Sequence, residues 1–232
     1  MPIYQLDEGL WFPNPKYGEP DGLFAVGGDL SINRLLLAYS HGIFPWFAYQ
    51  LYNEPHWYCP MDRFVIFPKE IHISHSMKQL MRQGKYLITM DKNFEDVIHG
   101  CSKVNSRNTD MGAWLGPQMI NSYIQLHKMG IAHSVEVWEV GETENEIPKS
   151  RSLVGGLYGI ELNGAFFGES MFSLVPSASK LALIHLAHHL EEKNYSFIDC
   201  QFETPHLLSM GGRHIPYDEY IAMLKAYAQK KE

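Results

Sequence analysis

Asn163-Gly164 stands between two runs that read as strands, residues 153–162 and 165–173. Both central positions of a two-residue type I′ turn need φ > 0, and Asn-Gly meets that need with little strain. The dipeptide therefore predicts a β-hairpin. Residues 177–192 follow, with Leu181, Ile184, Leu186 and Leu190 at helical spacing. Tyr195-Ser196-Phe197-Ile198 reads as one more strand, ending on Asp199-Cys200-Gln201. A hairpin, a helix and a strand with polar residues at its C-terminal end predict an α+β domain with chemistry at the strand ends.

Upstream, residues 1–30 are rich in Pro, Gly and aromatics and read as ordered irregular structure. Ser31 is placed to N-cap a helix that runs to His41, and residues 43–47 form an aromatic knot. Composition changes near residue 62, which predicts a small N-terminal domain, 1–62, and a larger domain, 63–232. Within the latter, residues 64–67, 86–90 and 132–140 read as strands. Residues 74–84, 93–100, 117–130 and 216–229 read as helices, with Ser74 as a cap and Pro117 in a first turn. Residues 101–113 read as a polar loop and 141–146 as an exposed acidic one.

With 232 residues, 45% of them hydrophobic, the chain can bury a sizeable core. No apolar run approaches the ~20 residues of a membrane span, and the N-terminus lacks a signal-peptide pattern. Cys59, Cys101 and Cys200 are dispersed, which suits a reducing cytoplasm. Net charge is −7, yet residues 63–107 carry eight Lys or Arg against four Asp or Glu. That basic segment, with Arg63, Lys78, Arg82 and Lys85, is the expected surface for a nucleic-acid backbone. An ordinary solvated face would have the same composition.

Motifs for nucleotide-phosphate loops, nucleophilic serines and zinc proteases are absent. His185, His188 and His189 share helical spacing but lack a carboxylate or cysteine to complete a metal site, so no metal is expected. The carboxylate of Asp199 beside Cys200 argues against a nucleophilic thiolate. Glu169, Asp199 and Gln201 remain. A carboxylate and an amide suit aminolysis of an activated ester, which needs a neutral amine, an aimed carbonyl and help with proton transfer. The order of elements resembles that of the acyltransferases that bind acyl-coenzyme A, whose diphosphate loop is usually rich in glycine; residues 174–180 here contain none. A coenzyme A-dependent N-acetyltransferase, a peptidoglycan aminoacyltransferase and a non-catalytic tRNA-binding module stay open as alternatives.

Several segments occur in one order: 21–30 (DGLFAVGGDL), 39–47 (YSHGIFPWF), 133–138 (HSVEVW), 153–159 (LVGGLYG), 167–173 (FGESMFS), 178–180 (ASK) and 198–201 (IDCQ). As a set they resemble the leucyl/phenylalanyl-tRNA–protein transferase family from about residue 10 to residue 225. The resemblance implies a small N-terminal domain joined to an acetyltransferase-like (GNAT-like) domain with a mixed, mostly antiparallel sheet flanked by helices. It implies transfer of Leu or Phe, less often Met, from aminoacyl-tRNA to the N-terminal amine of proteins beginning with Arg or Lys. That transfer marks them for bacterial N-end rule degradation, with no cofactor. By motif, Asp199 and Gln201 correspond to the pair that assists amine attack. Trp46, Trp114, Tyr123, Leu157 and Glu169, with Leu186 and Leu190 on the helix, fall on positions of the aminoacyl and acceptor-end pocket. Trp46 or Trp114 could stack the terminal adenine.

Overall fold

The computed structural model describes residues 3–47, 49, 51–105, 114–141, 143–144, 147–148 and 150–229. Its elements run β1 (Tyr4–Leu6), β2 (Leu23–Gly27), α1 (Ile32–Ser40), β3 (Phe44–Pro45), β4 (His56–Tyr58) and β5 (Asp62–Ile66). Then come α2 (His75–Arg82), β6 (Tyr86–Met90), α3 (Phe94–Asn105), α4 (Pro117–Lys128), β7 (Ala132–Val140) and the short pair β8 (Thr143–Glu144) and β9 (Ile147–Pro148). The last part holds β10 (Arg151–Leu162), β11 (Ala165–Ser173), α5 (Ala178–Glu192), β12 (Phe197–Asp199), α6 (Pro205–Ser209), β13 (Arg213–Pro216) and α7 (Tyr217–Gln229).

The predicted hairpin forms with Asn163 at φ 49° and Gly164 at φ 70°, both left-handed as a type I′ turn requires. Ser31 accepts the Arg34 N–H and Ser74 the Met77 N–H, so both predicted caps are made. Two sheets result. The first has the order β1-β2-β4-β3, the second β13-β5-β12-β11-β10-β7-β6. In the larger sheet β11 and β12 are parallel, because α5 crosses between them, and the other neighbours are antiparallel. This is the mixed, mostly antiparallel, helix-flanked sheet expected of an acetyltransferase-like domain.

Two expectations need correction. Residues 1–30 are not irregular throughout, since β1 lies parallel to β2 within them. The helix expected to end at Gly100 continues to Asn105, because Cys101 extends the buried stripe of Phe94, Val97 and Ile98. The rest of the expected loop, 106–113, and residues 142, 145 and 146 of the acidic loop lie outside the described residues.

Side chains alternate across the large sheet, so neighbours on β10 serve different layers. Leu157 joins Leu183, Ile184 and Leu186 of α5 on one face. Tyr158 points the other way, with ring centroids 5.8 Å from Phe94 and 5.4 Å from Tyr123. On that second face one apolar cluster is continuous from Phe24, Leu35 and Trp57 to Ile160 and Phe167. Buried Glu136 of β7 accepts the backbone N–H groups of Lys92 and Asn93 at 3.2 and 3.3 Å, just before α3, and the Ser134 hydroxyl at 2.6 Å. The negative charge at a helix N-terminus holds α3 against the sheet.

Candidate active site

The site begins where two parallel strands part. Pairing of β11 with β12 runs Ala165–Phe197, Phe166–Ile198 and Phe167–Asp199, and then stops. Beyond it β11 continues to Ser173 while the segment after β12 turns away through Cys200 and Gln201. Between them opens a pocket of about 630 Å³. Leu157, Phe166, Leu183, Leu186 and Ile198 form its apolar wall; Glu169, Ser170, Gln201, Thr204 and His206 give it a polar side.

A β-bulge places Glu169. Tyr158 pairs with Ser170 and Gly159 with Gly168, so Glu169 is the extra residue on β11. Gly159 is required there: a Cβ would sit 2.1 Å from the Phe167 carbonyl oxygen. Half-buried Glu169 accepts the hydroxyls of Tyr39 at 2.6 Å and Tyr123 at 2.7 Å, and those hydroxyls are 2.6 Å apart. Burial raises its carboxyl to about 7, against the two tyrosine hydrogen bonds, which lower it.

Asp199 and Gln201 are brought to the same strand end but do not face one substrate together. Asp199 is completely buried. Its Oδ1 accepts the Arg63 Nε–H at 2.8 Å and its Oδ2 accepts Arg63 Nη2 at 2.7 Å, a bidentate pair. Tyr220 donates to Oδ2 at 2.7 Å, and the Gln201 backbone N–H donates to Oδ1 at 2.9 Å. Gln201 has φ 59°, so the chain leaves the extended form on which the same-side expectation rested. Its side chain lines the pocket, and its amide makes no hydrogen bond within the described residues. Asp199 thus fixes the backbone that presents Gln201.

Arg63 corrects the charge-based expectation. It is 1% exposed, clamped on Asp199 and sandwiched between the rings of Phe44 and Tyr220 at 4.8 and 5.0 Å. Burial works against its charge, but the Asp199 carboxylate outweighs it and raises the guanidinium's pKa. No surface remains for a phosphate. Lys78, Arg82 and Lys85 are exposed; Lys85 pairs with Glu139 at 2.9 Å, whereas Lys78 and Arg82 have no ion pair among the described residues.

Of the other expected pocket residues, Leu157 and Leu186 lie on the wall, but Leu190 does not and is fully buried in the α5 core. Tyr123 is buried and reaches the site only through Glu169. Trp46 is 37% exposed, its ring centroid 5.4 Å from both Tyr58 and Phe202, the residue after Gln201. Trp114 packs half-buried against the core shared with α4. Cys200 lines the pocket, but burial first and Asp199 second raise its thiol pKa far above the nucleophilic range. Among the described residues no three His, Cys, Asp or Glu side chains converge on a metal position.

Tyr39 of α1 and Tyr220 of α7 both hold site carboxylates, Tyr39 that of Glu169 and Tyr220 that of Asp199. A helical stripe marks burial and gives no sign that a phenol ends on a carboxylate. His206, on a five-residue helix, was missed as well; its Nε2 is buried without a partner among the described residues. At the start of α5 the Ala178 and Ser179 N–H groups are already bonded, to Val175 O at 3.4 Å and Ser173 Oγ at 3.2 Å. A Cβ on Gly155 would fall 2.5 Å from the Ala178 Cβ, so β10 closes this end as well.

The family profile described as leucyl/phenylalanyl-tRNA protein transferase matches residues 65–225, and its N-terminal domain profile matches residues 28–61. The leucyl/phenylalanyl-tRNA–protein transferase of Anaeromyxobacter sp. (strain Fw109-5) is 45% identical over 97% of this chain and 90% of its own. That of Desulforapulum autotrophicum is 43% identical over 100% of this chain and 95% of its own. Among solved structures, L-PGS from Bacillus licheniformis overlaps 79% of this chain and 56% of its own at 14% identity and TM-score 0.40, too distant to assign any residue a role. One profile spans the bulge and the whole pocket lining, the other α1 and strands β3 and β4 of the N-terminal sheet, and the relatives align over nearly the entire chain: the chain belongs to the leucyl/phenylalanyl-tRNA protein transferase family.

Proposed function

We propose that the pocket between β11 and β12 receives the aminoacyl end of a charged tRNA, with the amino-acid side chain on the apolar wall. As a member of its family the chain is an aminoacyltransferase, moving an aminoacyl group from tRNA to a protein N-terminus. The observation that carries the pocket reading is its two-sided lining: aliphatic and aromatic on one side, Glu169 and Gln201 on the other. Burying a Leu or Phe side chain on such a wall is worth roughly 1.5–3 kcal/mol. The preferred donors are therefore Leu and Phe, with Met less used. The acceptor begins with Arg or Lys, drawn by the acidic balance outside residues 63–107, and the modified protein enters N-end rule degradation in the cytoplasm. Trp46 stacks the terminal adenine beside Gln201. The occupied amides at the start of α5 favour this over a coenzyme A-dependent reading. We place the boundary between the N-terminal domain and the transferase domain at residue 62.

In this reading Gln201 accepts a hydrogen bond from the attacking amine and steadies it at the ester carbonyl. Gln201→Ala should bind Leu-tRNA as the parent does but transfer Leu at least ~10-fold more slowly in single turnover, within the range for lost positioning or proton transfer. A parental rate would remove Gln201 from the chemistry.

The tRNA body lies against α2. Phosphate contacts release counterions, so affinity falls as salt rises. Lys78→Glu with Arg82→Glu should weaken tRNA binding and flatten the salt dependence by roughly two counterions. Filter binding of Leu-tRNA between low and moderate salt measures both; an unchanged slope would place the tRNA elsewhere.

A further inference from the structure

Three oxygen groups meet at the bulge, and their protons can be counted. Tyr39 Oη, Tyr123 Oη and the Glu169 carboxylate make three contacts of 2.6–2.7 Å, one along each side of a triangle. A hydrogen bond of that length needs one hydrogen between its oxygens. The two phenols supply two. With Glu169 ionised, both point at the carboxylate and the phenol oxygens face each other at 2.6 Å with no hydrogen between them. A third hydrogen, on Glu169, closes the ring: each group then donates once and accepts once. Tyr39 and Tyr123 are completely buried, whereas Glu169 reaches the pocket. The ring is thus a built site for one proton, with a single opening.

We propose that Glu169 is a catalytic base of the transfer, taking the proton that the acceptor's N-terminal ammonium must lose and storing it in the ring with Tyr39 and Tyr123. The inference rests on the aminoacyl-transfer reading above. The balance is complete. Glu169 carboxylate and R–NH3+ give the carboxylic acid and R–NH2. The nitrogen lone pair forms the C–N bond at the ester carbonyl, the C–O bond to the ribose breaks, and a second nitrogen proton goes to the ribose oxygen. Glu169 later returns its proton to water. No oxidant, metal or further reactant enters.

The groups that bear on Glu169 are Tyr39 from α1, Tyr123 from α4, Tyr158 from β10, Arg63 from β5 and Asp199 from β12. Of these, Arg63 and Asp199 neutralise each other. Burial, the largest influence, lifts the Glu169 carboxyl to about 7, below the ~7.7–8.0 of a free α-amino group. The direction fixes the profile. Transfer by the parent should rise with pH through about 7, as Glu169 ionises.

The test is the pH dependence of single-turnover transfer from Leu-tRNA to an Arg-peptide, with folding of each variant checked by circular dichroism. Glu169→Gln keeps the shape and the hydrogen bonding but cannot take a proton. It should be at least ~10-fold slow at pH 6.5, and its rise should move to about 8, that of the amine itself, with most of the rate recovered by pH 9. Tyr39→Phe removes a hydrogen bond that stabilises the carboxylate and should move the rise to higher pH than in the parent. A loss in Glu169→Gln that is the same at every pH, or a rise that neither variant moves, overturns the proposal. Absence of transfer by the parent would instead overturn the function on which it rests.

Discussion

Asp199→Ala is expected to cost about 3–5 kcal/mol of stability, a large share of the ~5–15 kcal/mol that holds a domain of ordinary stability together. The substitution removes one member of a fully buried pair and strands the other. Arg63 would keep its charge at 1% exposure, with its Nη1 already lacking a partner among the described residues. Tyr220 and the Gln201 backbone N–H would lose their acceptor as well. Asp199 ties β12 to β5 and to α7, while Arg63 reaches Phe44 of the N-terminal sheet, so the damage would extend to the joint between the two sheets. Asp199→Asn keeps the shape and half the acceptor capacity and should lose less. Urea denaturation of the three proteins measures this; an Asp199→Ala midpoint within error of the parent's would mean that the pair is not holding the fold. Slow transfer by Asp199→Ala therefore reports on structure, and Gln201→Ala is the cleaner probe of chemistry.

The difference between these two residues was not legible in the sequence. Residues two apart share a side only while the strand lasts. β12 ends at Asp199, and Gln201 takes a left-handed φ of 59° that nothing in Asp-Cys-Gln announces. Arg63 was misread for a related reason. Counting charge along 63–107 cannot see a carboxylate that lies 136 positions away in sequence and 2.7 Å away in space. What could be read was local: the Asn163-Gly164 turn, the serine caps, Pro117 and the glycine at 130, each a preference of one or two residues. Strand β4, helix α6 and strand β13 were missed because three to five residues hold too little of any period. The Glu169 bulge shows in sequence only as glycines at 159 and 168, which signal room without saying for what.

The apolar wall should decide which donors react. Leu157, Phe166, Leu183, Leu186 and Ile198 offer aliphatic and aromatic surface and no hydrogen-bonding side chain. A Leu or Phe side chain gains by leaving water there. An Asp side chain would leave its hydrogen bonds to water and find none, at a cost on the order of 1–3 kcal/mol for a neutral polar group and more for a charge. Adding the forgone burial of roughly 1.5–3 kcal/mol gives a gap of roughly 2.5–6 kcal/mol, at least ~50-fold in rate if the interaction is made in the transition state. Placing a charge on the wall, as in Leu186→Asp, should abolish Leu transfer by the same physics. That variant also risks the α5 core, so varying the donor is the better probe.

The most direct measurement is single-turnover transfer from radiolabelled Leu-, Phe- and Asp-tRNA to a peptide beginning with Arg, beside the same peptide with its N-terminus acetylated. The account requires Leu and Phe to appear on the free peptide, Asp to react at least ~50-fold more slowly, and nothing to appear on the acetylated one. Equal transfer of Leu and Asp, label on the acetylated peptide, or no transfer of any donor would contradict it.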